Sequence, residues 1–169
     1  MPLKSLLDEA LDAWQFARDG VIDEVRNLPE EAMTARGAGA RTVAELVHHI
    51  AESGLMMAGE LTRPDGDFLR QSYPDFLAEH AGGMERPTAK ADLVALLERT
   101  HRDGARHIRA AGEPRLMQPI RQFNGDPARR LTWMHHGIAH EEYHRGQIAL
   151  YARLVARVPA LTQLIYGKS

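Results

Sequence analysis

Cysteine is absent from this chain. Disulfides, thiolate nucleophiles and cysteine-based zinc or iron–sulfur sites are therefore excluded, and any metal has to be held by His, Asp or Glu. No apolar run approaches the ~20 residues that cross a bilayer, and no signal peptide precedes the first helical pattern. The expectation is a cytoplasmic protein without a membrane partner. Long basic runs are also missing, and the formal net charge is −2. Nucleic acid, which demands concentrated positive surface, is not an expected partner.

What is present suits a soluble protein: 169 residues, 44% hydrophobic and 26% charged, with a mean hydropathy of −0.38. One domain over residues 1–169 is expected, long enough for a sizeable core. Histidine is in excess, with nine residues. Five stand at His48, His49, His136, His140 and His144.

Four segments carry helical periodicity and none shows convincing strand alternation. The first runs from about Leu3 to Asn27, ended by Pro29 and the loop 35–40. The second runs from Thr42 to about Thr62, with T-V-A-E (42–45) as a capping box. The third opens after Pro87-Thr88 and reaches about Ala111. Asp126-Pro127 reads as N-cap and first residue of the fourth, which extends to Arg157. The spacing predicts an all-α four-helix bundle, with the long stretch 63–87 as a crossover between helices 2 and 3.

The fourth helix contains IAHEEYHRGQI (138–148), in which His140-Glu141-Glu142-Tyr143-His144 matches H-E-x-x-H. At roughly 100° per residue, Trp133, Gly137, Ile148, Tyr151, Leu154 and Val155 share one side, with His140 and His144 in their midst. Two imidazoles one turn apart on an apolar stripe are placed to chelate one ion. The plainer alternative is two core histidines satisfied by hydrogen bonds. On the second helix His49 lies at the edge of the apolar stripe, whereas His48 and Glu45 point away and read as solvated. On the third, His101 and His107 flank the stripe, while His136 sits one turn before His140 as a further polar lining residue. Gln147 and Tyr143 lie near enough to the histidine face to orient a ligand or bound water.

A zinc protease is disfavoured. Its third ligand usually follows the motif, and RGQIALYARLVARVPALTQLIYGKS holds no Asp, Glu or His. No sheet is expected to orient a peptide, and Glu141 at the rim of the stripe reads as incidental rather than as a general base. A di-iron carboxylate site is disfavoured as well, because Glu45, His48 and Glu98 all point away from their helices' apolar faces.

RTVAELVHHIAE followed by HEEYHRGQI resembles the DinB/YfiT-like family, in helix order over most of the chain. The resemblance implies a bundle in up-down-down-up order, frequently a homodimer, with one divalent ion on His49, His140 and His144. It also implies a metal-dependent hydrolase, or an S-transferase using a low-molecular-weight thiol, acting on a small molecule. Despite the family's name it does not imply DNA binding. Three imidazoles leave a coordination position open, suit zinc, nickel, iron and copper alike, and can generate a nucleophile at neutral pH. Zinc or nickel is the leading expectation. A non-catalytic bundle with a structural or sensory metal is the competing expectation. Arg145 reads as a surface or inter-subunit residue, and Gly146 as a point of close helix approach. Leu131, Met134, Ile138 and Ala149 form a second apolar strip that suggests a partner subunit.

Overall fold

The computed structural model describes residues 4–36 and 41–167. Leu3 and residues 37–40 of the predicted first loop lie outside them. Four long helices dominate: α1 (Leu6–Asn27), α2 (Val43–Thr62), α4 (Lys90–Ala111) and α6 (Arg130–Leu154). Between α2 and α4 the short α3 (Tyr73–Ala81) interrupts the expected crossover, and α5 (Glu113–Leu116) follows α4.

Local chemistry sets several of these ends. Ser5 caps α1 by accepting from the Asp8 amide. Thr42 and Glu45 form the predicted capping box at the start of α2. The carbonyls at the far end of α2 are met by a fully buried arginine. Arg130 donates to the carbonyls of Leu61 (3.0 Å), Arg63 (2.6 Å) and Pro64 (3.2 Å). A cation at a helix C-terminus complements both the orphan carbonyls and the dipole.

Two core layers fix the helix directions. One joins Leu7, Leu11 and Trp14 of α1 to Met57 and Leu61 of α2, Ile108 of α4 and Met134 of α6. The other joins Val21 and Val25 to Val43, Val47, Leu93, Leu97, Ile148 and Ala152. Moving up α1 therefore means moving down α2 and α4 and up α6, which is the up-down-down-up order. Around the ring the packed neighbours are α1–α6, α6–α2, α2–α4 and α4–α1.

The fourth helix departs from expectation at both ends. Asp126-Pro127 is not its cap. Residues 119–129 instead form a hairpin, β1 (Pro119–Arg121) antiparallel to β2 (Pro127–Arg129), with Ile120 opposite Ala128. Gly125 adopts φ +89° in its turn, which glycine tolerates without strain. Three-residue strands are too short to register as alternation. Beyond Leu154 the chain turns through Ala156 into α7 (Ala160–Tyr166), whose first amides donate to the buried carboxylate of Glu24.

Leu154 and Val155, assigned to the inward stripe, are exposed, because the buried face of α6 runs instead through Met134, Glu141, Arg145, Ile148 and Ala152. The second strip needs no partner subunit to explain it. Met134 is fully buried, and Leu131 and Ile138 pack against the chain's own core.

Candidate metal centre

His49 on α2 meets His140 and His144 on α6. His49 Nε2 lies 3.1 Å from His140 Nε2, and His144 Nε2 lies 3.0 Å from the same atom. The ring centroids are 4.4 to 4.9 Å apart and the planes nearly perpendicular. One residue from each of two consecutive turns of α6, plus one from α2, thus bring three nitrogens together.

The protonation pattern tests whether this cluster suits a cation. His144 Nδ1 lies 2.8 Å from Gln147 Oε1. With that oxygen as acceptor, His144 carries its proton on Nδ1 and turns the Nε2 lone pair inward. His140 Nε2 then has two close nitrogen neighbours, and a single proton can satisfy only one of those contacts. A cation among the three lone pairs removes the conflict. The two spacings to His140 also agree, since nitrogens ~2.0–2.1 Å from a common ion lie about 2.9 to 3.4 Å apart, and the third pair lies within 4.8 Å.

Electrostatics keep the rings neutral, as metal ligation requires. Burial, followed by the neighbouring imidazole, pulls both His49 and His140 down to about 4. Burial lowers His144 too, against the opposing hydrogen bond that its Nδ1 donates to Gln147. The positive charge of Arg41 acts on all three in the same direction.

The remaining sequence candidates separate clearly. Gln147, expected to orient a ligand or bound water, instead holds the His144 ring through Nδ1. Tyr143 stands edge-on beside His144 with its side chain largely in solvent. Glu141 is neither at a rim nor incidental. Its carboxylate accepts from Trp14 Nε1 (2.6 Å) and from Arg18 Nη2 (2.6 Å) and Nε (2.9 Å), in full burial. Both oxygens are held by the core, which leaves a general-base role without support.

His48 is buried rather than solvated, 2.8 Å from the carbonyl oxygen of Pro87. The face of α2 that seemed outward is covered by the long connection from α2 to α4. Arg145 is buried rather than surface-exposed, its guanidinium lying where a Cβ on Gly20 would stand. Gly146, in contrast, meets no neighbouring element. His101 packs edge-on against Trp14, while His107 and His136 are exposed. None of those three joins the triad.

A second group escaped the sequence reading. Buried Glu60 engages Arg70 and His80, with Glu79 completing the group. Glu60 Oε1 is held by both partners, and Arg70 lies over the Phe76 ring. This network fastens α3 to α2. An acidic residue next to Leu61 on the apolar side of α2 was the available signal.

Several openings reach the triad. A cavity of about 200 Å³ against His140 is lined by Met56, Met57, Phe123, Trp133 and Gly137, among others. A polar cleft of about 420 Å³ reaches His49 beside Arg36, Arg41 and Arg86. Another, of about 410 Å³, reaches His144 beside Arg41 and Tyr143. The larger groove of about 760 Å³ between α1 and α4 lies away from all three histidines.

Comparison with known proteins agrees with this architecture. Among solved structures, YfiT from Bacillus subtilis superposes with a TM-score of 0.67 at 14% identity, covering 93% of this chain and 94% of that one. It is described as a probable metal-dependent hydrolase with an unusual four-helix bundle topology. At that identity the likeness establishes the fold alone. Among curated proteins none matches in sequence. The sequence profile of the DinB superfamily matches residues 8–148, from the first turn of α1 to Ile148 beyond the third histidine. This chain belongs to the DinB superfamily.

Proposed function

We propose that this protein is a metal-dependent hydrolase of small molecules, with one zinc or nickel ion on His49, His140 and His144. The observation that carries the reading is the convergence of three neutral imidazoles beside openings to solvent. A divalent ion held there supplies electrophilic polarisation and lowers the pKa of an exchangeable ligand. The chain's own contribution is positional. His140 and His144 are fixed by helix spacing, Gln147 holds the tautomer of His144, and the Trp14–Arg18–Glu141 network locks the turn between them. The description of YfiT as a probable metal-dependent hydrolase supports the same assignment.

Transfer of a low-molecular-weight thiol is the second reading. Separate clefts at His49 and His144 leave room for a co-substrate, and the thiol would have to come from outside because the protein has no cysteine. A panel of esters, amides and electrophiles, assayed with and without added thiol, separates the two. Turnover that requires metal but not thiol is the expected result. Turnover that appears only with thiol would replace hydrolysis by S-transfer. A stoichiometric metal with no turnover under either condition would favour the structural or sensory role.

A further inference from the structure

Two unlike surfaces flank the triad. On the His140 side the cavity is walled by Met56, Met57, Phe123 and Trp133, with Gly54 and Gly137 providing space. A Cβ at Gly137 would fall 2.1 Å from the Met57 sulfur, so the absence of a side chain there leaves that wall its room. An apolar cavity of ~150 Å³ accepts a benzene ring. This one, at about 200 Å³, fits a single ring with little to spare.

On the opposite side, among the described residues, Arg36, Arg41 and Arg86 face two carboxylates, Glu45 and Glu52. Arg36 pairs with Glu45 and Arg86 with Glu52. Arg41 lines both the cleft at His49 and the cleft at His144. Its backbone carbonyl is held by the Tyr151 hydroxyl of α6, which ties this arginine to the helix carrying two of the histidines. Tyr73, hydrogen-bonded to Ser53, borders both the apolar cavity and the basic cleft and so divides them.

We infer that the substrate is a small amphipathic carboxylate, its apolar group in the Met57–Phe123–Trp133 cavity and its anionic end on Arg41, so that the bond between them crosses the triad. The inference rests on the metal-centre reading and adds the chemical class of its ligand. Arginine suits the anionic end because its fork of donors matches a carboxylate. The apolar end gains from leaving water, and a cavity of this size limits it to one ring or a short branched chain.

Isothermal titration calorimetry on zinc-loaded protein tests the assignment, with zinc content measured on the same samples. The probes are 3-phenylpropionate, 4-phenylbutyrate and 5-phenylpentanoate, their neutral amides, and acetate. At least one acid should bind about tenfold more tightly than its amide and than acetate. Arg41→Gln should remove most of the preference for acid over amide while zinc content stays unchanged. Phe123→Ala, at a partly exposed position on the hairpin, should weaken acid and amide alike by about fivefold. An acid preference that survives Arg41→Gln, or acetate binding as tightly as every phenylalkanoate, overturns the substrate assignment. Wild-type protein that takes up no zinc counts against the metal reading instead.

Discussion

Arg18 and Glu141 form a two-point ion pair in the centre of the bundle, 2.6 and 2.9 Å long and sealed from solvent. Arg18 also donates to the Leu97 carbonyl (2.7 Å) and to Thr100 (3.1 Å), so one guanidinium links α1, α4 and α6. The glutamate that makes H-E-x-x-H look proteolytic is thus a structural partner. Truncating one member of a buried pair strands the other charge and costs ~3–5 kcal/mol. Glu141→Ala should lower unfolding stability by about that amount in urea titration. Stability close to wild type with activity abolished would instead identify Glu141 as a reacting group.

Gln147 should matter to the metal before it matters to any reaction. Its carbonyl oxygen accepts from His144 Nδ1 at 2.8 Å and turns the other nitrogen inward. Partners of this kind typically change metal affinity by ~10–100-fold. Gln147→Leu should weaken zinc binding within that range in a competitive chelator titration, with the helix content unchanged. Unaltered affinity would show that His144 needs no partner to present Nε2.

His101 supplies a pH dependence independent of metal. It is buried against Trp14, and its Nδ1 finds no hydrogen-bond partner among the described residues. Burial, then the positive charge of Arg18, lowers its pKa from the ordinary histidine value of 6.5 to about 4, while Glu141 and Asp19 oppose the shift. The folded state therefore binds this proton less readily than the unfolded state. The stabilisation is fully present above pH ~6.5 and is lost as pH falls toward about 4. Solvent screening limits the loss to ~1–2 kcal/mol. Urea titrations of metal-free wild type and His101→Leu between pH 7 and 4 should show wild type losing more stability as pH falls and the variant the shallower slope. Parallel slopes would show that His101 does not titrate in this range.

The bundle was legible because helical spacing encodes which residues share a face, and the triad because the motifs RTVAELVHHIAE and HEEYHRGQI resemble those of a known family. His49 at the edge of the α2 stripe followed from angle, and the capping box at Thr42 from its motif. On α6 the angular reading misplaced the core, which runs through Met134, Glu141, Arg145, Ile148 and Ala152 and leaves His140 half-buried beside it. What failed depended on other parts of the chain. His48 was assigned to solvent because the residues around Pro87 that cover it are 39 positions away. Arg145 was assigned to the surface because the space it fills is made by Gly20 on α1. The Glu141 ion pair spans 123 residues, and no local pattern announces such a partner. Asp126-Pro127 has cap chemistry, yet pairing of Ile120 with Ala128 draws the segment into a hairpin.

On the proposed reading, His49, His140 and His144 together hold one divalent ion. Elemental analysis of tag-free protein, before and after zinc or nickel loading, measures it directly when set beside His49→Ala, His140→Ala and His144→Ala. One metal per chain is expected in wild type, with its loss in each variant and helical circular dichroism retained. Wild type without stoichiometric metal, or His49→Ala binding metal as well as wild type does, would contradict it.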